Sequence, residues 1–130
     1  MTDRELLLEA IRATEKAYAP YSRFRVGAAL LARSGTVYTG ANIENASYGA
    51  TVCAERTALW QAVLCGEKEF DTLAVAAVQA DGTPIAAPPC GICRQTLSEF
   101  SDGSLRIIIG TPDGLRTFTL RDLLPEAFGL

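Results

Sequence analysis

The sequence contains three strand-length runs that are apolar on both faces, namely FRVGAALLAR (24–33), TLAVAAVQA (72–80) and LRIIIG (105–110). A half-buried strand alternates apolar and polar residues, whereas these runs leave no polar face for water. Strands of this kind need cover on both faces, and sheets that contain parallel members provide it. We therefore expect an α/β domain in which helices cover both sides of a central sheet.

Helix signals lie before the first of these runs. Thr2 and Glu5 form a capping box, Thr-x-x-Glu, and Pro20 ends the helix that follows. The apolar face of this first helix is formed by Leu6, Leu7, Ala10, Ile11, Thr14, Ala17 and Tyr18.

Further helices fill the intervals between the strands. A second helix is predicted from about residue 51 to residue 65, with Gly66 as its left-handed C-terminal cap. A third covers 88–100 behind a proline pair, and TLRDLLPEAF (119–128) closes the chain as a short helix.

Turn signals fix two antiparallel pairs of strands. Ser-Gly joins 24–33 to TVYTGANI (36–43) as a hairpin, and the more polar second strand lies nearer an edge. The turn TPDG (111–114) is too short for a crossover, so LRTFTL (115–120) returns antiparallel. The predicted order is α-β-β-α-β-α-β-β-α, a three-layer α-β-α fold with a mixed five-stranded sheet. At 130 residues, we expect a single domain spanning 1–130.

Composition excludes several classes of partner. The net charge is −3 and lysine and arginine are not clustered, which disfavours binding to nucleic acid. No stretch approaches 18 uninterrupted apolar residues, and the first residues are too charged for a secretory signal. We therefore expect a cytoplasmic protein with no membrane or nucleic-acid partner. The chain has no histidine, so a metal site must rely on cysteine or carboxylate ligands.

Three of the four cysteines could meet at one metal ion. Cys90-Gly-Ile-Cys93 alone could be a redox pair, half of a structural zinc site, or two unrelated thiols. The preceding prolines place Cys90 in the first turn of a helix, and Cys53 is in the first turn of another. If these two helix N-termini converge, Cys53, Cys90 and Cys93 supply three thiolates and leave a fourth zinc position open, as in a catalytic site.

Cys65 is excluded from that site by distance. Twelve residues of continuous helix separate it from Cys53 and rise about 18 Å. Two sulfurs on one zinc ion are separated by no more than roughly twice the Zn–S length of about 2.3 Å. We expect Cys65 to be a buried core thiol.

Charged residues adjoin the cysteines. Glu55 is either a solvated first-turn glutamate or a proton-transfer group beside the open metal position. Three thiolates and one Zn²⁺ sum to −1, so guanidinium donors to the sulfurs would restore the acidity of the metal. Arg56 and Arg94 are placed to do this, although either could be a surface charge, and Arg94 more readily.

Cys53-Ala54-Glu55 followed by Pro89-Cys90-x-x-Cys93 resembles the signature of the zinc-dependent nucleoside and nucleobase deaminases. The resemblance to the small cytidine deaminases extends over nearly the whole chain, through YAPYSRFRVGAAL (18–30), GANIENASYG (40–49), VCAERTAL (52–59), PCGICRQ (89–95) and LLPEAF (123–128). It implies the cytidine deaminase-like fold. It also implies hydrolysis of free cytidine and 2′-deoxycytidine to uridine and 2′-deoxyuridine with release of ammonia, in pyrimidine salvage.

The resemblance also implies roles for individual residues. Cys53, Cys90 and Cys93 would bind one Zn²⁺ per chain, with water as the fourth ligand. Glu55 would move protons between the water, N3 of the pyrimidine and the departing ammonia, and Arg56 would balance the thiolate charge. The implied substrate-binding positions are Phe24, Asn42, Glu44, Ala46, Tyr48, Ala54 and Phe128.

These positions divide by what they would contact. Asn42 and Glu44 match positions that bind the ribose hydroxyls, Phe24 one that packs on the pyrimidine, and Ala54 one whose N–H holds the base. The remaining three, Ala46, Tyr48 and Phe128, match positions that reach a neighbouring subunit's site, because the resembling enzymes are homotetramers. Without the resemblance, Phe24 could be a core residue, Tyr48 could pack on its own subunit, and Asn42 and Glu44 could only shape their loop.

Other functions remain open at the level of sequence. Within the fold, the alternatives are a deaminase for a nucleoside-like antibiotic such as blasticidin S and a polynucleotide-editing deaminase. The intact NIENASYG favours a ribose over the first, and the acidic composition opposes the second. Outside it, the chain could be a structural zinc-stabilised interaction module or a C-x-x-C thiol oxidoreductase.

Overall fold

The computed structural model describes residues 1–130, which form one sheet with helices on both faces. In chain order the elements are α1 (Asp3–Ala13), β1 (Arg25–Ala32), β2 (Val37–Ala41), α2 (Ala54–Leu64), β3 (Phe70–Val78), β4 (Pro84–Ile85), α3 (Gly91–Ser98), β5 (Arg106–Thr111), β6 (Gly114–Thr119) and α4 (Leu120–Leu123). Two 3₁₀ turns, Thr14–Lys16 and Tyr48–Ala50, complete the regular structure.

The sheet is mixed, as predicted. Its order is β2-β1-β3-β5-β6, with β3 and β5 parallel and the other neighbours antiparallel. The edge position of β2 and the antiparallel return of β6 are both confirmed. A sixth strand was not predicted: β4 pairs with β3 through only two residues, Pro84 and Ile85. So short a strand has no periodicity to detect.

The doubly apolar strands separate two hydrophobic cores. On one face, Leu6 and Leu7 of α1 pack with Ala29, Ala74 and Ile108 of the sheet. On the other face, residues of α2, α3 and α4 pack with the alternate strand positions, including Leu30, Leu73 and Ile107. The three-layer architecture is therefore confirmed. No helix is both long enough and apolar enough to cross a membrane.

The helices are shorter than predicted at several ends. A 3₁₀ turn replaces the last part of the first helix after Ala13, and α3 begins at Gly91 because Cys90 is still extended. The last helix stops at Leu123, well before residue 128. Leu124 precedes Pro125, and the residue before a proline is driven out of the helical region; its φ of −145° agrees with this.

A glycine lets α2 lie directly on β2. A Cβ at Gly40 would come within 2.4 Å of the Ala58 nitrogen and of Thr57 Oγ1. Thr57 Oγ1 also donates to the Ala41 carbonyl at 3.0 Å, which ties the first turn of α2 to the strand. The position of the α2 N-terminus is thus fixed by backbone contact.

Candidate active site and metal centre

Two helix N-termini converge on three cysteine sulfurs, as predicted. Cys53 and Cys90 are the N-cap residues of α2 and α3, one position earlier than the first turns predicted, and Cys93 lies one turn into α3. Neither N-cap sulfur accepts a capping hydrogen bond from a backbone N–H of its own helix. The Sγ atoms of Cys53 and Cys90 are 3.7 Å apart, and all three sulfurs lie within 4.8 Å of one another.

This spacing fits a tetrahedral metal ion. Two sulfurs bound at about 2.3 Å with a tetrahedral angle are separated by about 3.8 Å, which the Cys53–Cys90 distance matches. Burial is graded across the cluster: Cys93 is buried, Cys53 half-buried and Cys90 exposed. The cluster is therefore closed on one side and accessible on the other.

Cys65 lies outside the cluster, in agreement with the distance argument. The prediction that it is a buried core thiol is wrong, because its side chain is exposed. It is the C-cap of α2, where Gly66, with φ of +93°, turns the chain away from the core.

The sulfurs do not share charge equally. Hydrogen bonds from Cys93 and Arg56 lower the pKa of Cys53 to about 5. The pKa of Cys93 is raised, first by its hydrogen bond with Cys53 and then by its burial. The Cys53 thiolate therefore forms readily and opposes ionisation of Cys93, and a bound cation would relieve this opposition.

Glu55 is buried beside the sulfurs, so the solvated interpretation is wrong. Only 4% of it is exposed, and Oε2 lies 3.7 Å from Cys93 Sγ. Burial, with a contribution from the Cys53 charge, raises its pKa to about 7. A carboxyl group with a pKa near neutrality can both take up and release a proton.

The two arginines have different partners. Arg56 Nη2 lies 3.5 Å from Cys53 Sγ, and its buried Nε has no hydrogen-bond partner. Arg94 does not bond the sulfurs: its Nε donates to the Pro89 carbonyl at 2.7 Å and its Nη1 to the Leu123 carbonyl at 2.8 Å. Arg94 is therefore not a surface charge, because it links the backbone just before Cys90 to the end of α4.

A backbone bridge brings the loop after β2 to the cluster. Ile43 and Val52 exchange two backbone hydrogen bonds of 3.0 Å, which places the loop beside Cys53. Asn42, which is buried, uses its amide on backbone atoms: Oδ1 accepts from the Val26 N–H at 2.9 Å, and Nδ2 donates to the Phe24 carbonyl at 2.8 Å. One amide N–H and one acceptor position of Asn42 remain.

Glu44 is held by Tyr21 and Ser22, two residues of the 18–30 segment for which no role was predicted. Oε1 accepts from the backbone N–H groups of Tyr21 at 2.9 Å and Ser22 at 3.1 Å, and Oε2 accepts from the Ser22 hydroxyl. These bonds lower the pKa of Glu44, and the bond from the Ser22 hydroxyl has the largest effect. A cleft of about 420 Å³ is lined by Tyr21, Ser22, Glu44, Asn45, Tyr48 and Thr51.

The other predicted substrate positions differ in exposure. Ala54 occupies the first position of α2, where a backbone N–H has no intrahelical acceptor. Phe24 is half-buried and Ala46 is exposed. The side chains of Tyr48 and Phe128 are 80% and 68% exposed, and the Phe128 carbonyl accepts from Gln95 Nε2 at 2.8 Å.

Comparisons with known proteins agree with this geometry. The family model for the cytidine and deoxycytidylate deaminase zinc-binding region matches residues 1–111. A cytidine deaminase of Halalkalibacterium halodurans is 50% identical over 97% of this chain and 94% of its own length. A cytidine deaminase of Sporosarcina psychrophila is 47% identical over 98% of this chain and 92% of its own length.

Solved structures give the same result. The crystal structure of a cytidine deaminase from Burkholderia pseudomallei superposes with a TM-score of 0.89 at 45% identity, covering 98% of this chain and all of that one. The enzyme from Mycobacterium tuberculosis gives 0.82 at 43% identity, with full coverage of both chains. The chain therefore belongs to the cytidine and deoxycytidylate deaminase family of hydrolytic enzymes.

Proposed function

We propose that the chain catalyses the zinc-dependent hydrolytic deamination of free cytidine and 2′-deoxycytidine, with release of ammonia, in pyrimidine salvage in the cytoplasm. The observation that carries this proposal is the buried carboxyl of Glu55 beside three converging cysteine sulfurs. Relatives named cytidine deaminase, which match nearly the full chain, support the choice of substrate.

The metal site consists of Cys53, Cys90 and Cys93, and holds one Zn²⁺ per chain. When bound, the ion supplies Lewis acidity that lowers the pKa of a coordinated water. Arg56 withdraws negative charge from the Cys53 sulfur through its 3.5 Å contact. This offsets the net charge of −1 that three thiolates leave around a divalent ion.

Glu55 moves the protons. Its ionised form accepts a proton from the attacking water, and its neutral form donates that proton to N3 of the pyrimidine. It then accepts the second proton of the water, now on the hydroxyl attached to C4, and passes it to the departing amine, so each cycle leaves the carboxyl group as it began. A pKa raised to about 7 by burial makes both forms accessible at neutral pH.

Binding of the nucleoside is divided between the base and the sugar. The free N–H of Ala54 holds the base, and the Phe24 ring packs against it. Glu44 accepts from ribose hydroxyls, and Asn42 contributes the polar positions that its backbone bonds leave unused. A carboxylate and an amide together can satisfy a diol, because each hydroxyl both donates and accepts.

The active enzyme is a homotetramer in which sites are shared between subunits. Ala46, Tyr48 and Phe128 reach a neighbour's site, and the wide exposure of Tyr48 and Phe128 supports this. Large aromatic side chains exposed to this extent are typical of surfaces that another subunit covers.

The proposal is tested by zinc content together with the loss of cytidine absorbance on mixing. Wild type and Glu55→Ala should each hold about one zinc ion per chain, and only wild type should produce uridine. Zinc-free protein that remains active, or an active Glu55→Ala, would overturn the mechanism. A structural zinc module would show no turnover in either protein.

A further inference from the structure

The segment before β1 contains a serine that bonds both Glu44 and the backbone of Phe24. The Ser22 hydroxyl donates to Glu44 Oε2 and accepts from the backbone N–H of Phe24 at 3.0 Å. The Ser22 N–H donates in addition to Glu44 Oε1 at 3.1 Å. One residue therefore connects the carboxylate proposed for the sugar with the backbone of the phenylalanine proposed for the base.

We propose that Ser22 is the positioning residue of the nucleoside site, orienting the Glu44 carboxylate for the sugar hydroxyls while it fixes the Phe24 backbone. The inference rests on the proposed function, since it assigns Glu44 to the sugar. Ser22 does not act on the reacting atoms, because its partners lie in the 18–24 segment and the loop after β2, not at the sulfur cluster.

Counting acceptor positions shows what Ser22 determines. A carboxylate offers about four acceptor positions. Two on Oε1 are taken by the backbone N–H groups of Tyr21 and Ser22, and one on Oε2 is taken by the Ser22 hydroxyl. One position on Oε2 is left for a ligand hydroxyl. Without the Ser22 hydroxyl two are left, and the second is open to water or to a misplaced ligand.

The backbone here depends on these bonds. Arg23 has φ of +58°, in the left-handed region that is unfavourable for residues with a side chain. The Arg23 N–H donates to the Ala19 carbonyl at 2.9 Å, and the Ser22 hydroxyl holds the next residue, Phe24. A conformation of this kind persists only where surrounding contacts fix it. Ser22 therefore supports the turn from which Phe24 enters β1.

The chain offers a matched control. In the β1–β2 turn, Ser34 Oγ donates to Glu67 Oε2 at 2.6 Å and accepts from the Thr36 N–H at 3.4 Å. This is the same combination of a glutamate acceptor and a donor two residues later, away from the proposed nucleoside site. Ser34→Ala therefore removes equivalent bonds without touching Glu44.

The test compares cytidine with 2′,3′-dideoxycytidine, which lacks the sugar diol. Ser22→Ala should raise KM for cytidine about 5- to 20-fold, since hydrogen bonds to a charged group are the stronger class, with kcat within about twofold. KM for the dideoxy analogue should change less than about twofold. Ser22→Thr keeps the hydroxyl and should restore KM for cytidine, and Ser34→Ala should leave both KM values unchanged.

Other outcomes overturn the inference. An unchanged KM for cytidine in Ser22→Ala, or an equal rise for both substrates, contradicts positioning through Glu44, as does an equal effect of Ser34→Ala. If Ser22→Ala does not fold, Ser22→Cys keeps the volume, weakens the donor and should show the same selective rise. If wild type does not turn over cytidine, the proposed function is refuted instead. In that case the Kd for uridine, compared between wild type and Ser22→Ala, still reports on Ser22.

Discussion

At the scale of single residues, the fold places an ionisable carboxyl group where water is scarce. Glu55 is 4% exposed, and its pKa is about 7 against an ordinary value of 4.5. A raised carboxyl pKa means that the folded chain binds the proton more tightly than the unfolded chain does. The contribution of Glu55 to the stability of the metal-free protein is therefore fully present below pH 4.5 and is lost as pH rises through 7. The gap corresponds to about 3 kcal/mol.

Glu55→Gln should separate the effect of Glu55 on stability from its effect on catalysis. The amide does not ionise, so metal-free Glu55→Gln should be more stable than metal-free wild type at pH 8, by about 1–3 kcal/mol, with little difference at pH 4.5. Its kcat should fall at least about 100-fold, because proton transfer is lost. Urea unfolding at the two pH values and uridine formation measure the two effects. Glu15→Gln, at an exposed position, is the control and should keep its activity. Full activity in Glu55→Gln would contradict the assignment of Glu55 to proton transfer.

Residue types predicted part of the site and left part hidden. Cys53, Glu55, Cys90 and Cys93 carry chemistry in their side chains, so their spacing made a metal centre one prediction, beside a redox pair and unrelated thiols, and the resemblance favoured the metal centre. The role inferred for Ser22 depends on a turn with positive φ at Arg23 and on backbone N–H groups, which composition and periodicity do not report. Burial of Glu55 and exposure of Cys65 likewise follow from tertiary packing.

At the scale of elements, one side chain of α3 connects the backbone before this helix to the end of α4. Arg94 joins the Pro89 carbonyl, next to the proposed metal ligand Cys90, to the Leu123 carbonyl at the end of α4. Lysine has one ammonium group and cannot span both acceptors, so Arg94→Lys should loosen the Cys90 loop. We expect faster loss of zinc to a chelator and faster hydrogen exchange around residue 124. The control is Arg116→Lys, because the Arg116 guanidinium lies over the Phe118 ring. Equal rates of zinc loss in wild type, Arg94→Lys and Arg116→Lys would contradict this role of Arg94.

The contact between α2 and β2 gives a second prediction at this scale. Gly40→Ala would place a methyl group 2.4 Å from the Ala58 nitrogen, so the helix must move. Because α2 carries Cys53 and Glu55, both stability and activity should fall, stability by about 2–3 kcal/mol. Gly114→Ala adds the same methyl group where nothing lies within 4 Å. Thermal unfolding and kcat of the two variants provide the comparison, and equal unfolding midpoints would show that α2 accommodates the methyl group.

At the scale of the whole molecule, the apolar runs were sufficient to predict the layers. Alternate residues of one strand, Ala29 and Leu30, are buried in different cores, which requires helices on both faces. The sequence did not predict where the helices end, because caps such as Cys53 and Cys90 depend on local backbone angles. It also gave no periodicity for the two-residue strand β4.

The whole molecule also determines whether a site is complete. Tyr48 and Phe128 are too exposed to enclose a nucleoside within their own chain, and the proposed tetramer brings Phe128 to a neighbour's Glu55. Light scattering should give a mass four times the 13.9 kDa of one chain. Subunit mixing tests the sharing itself. Glu55→Ala and Phe128→Ala, each poorly active alone, should regain activity when they are unfolded together and reassembled.

Random reassembly sets the expected size of that gain. A site combines an intact Glu55 with a partner's intact Phe128 in about one case in four, so the mixture should approach about a quarter of the wild-type rate. Reassembling each variant alone controls for recovery of folded protein. If mixed tetramers form without a gain, Phe128 acts within its own chain, and a mass of 13.9 kDa would exclude shared sites altogether.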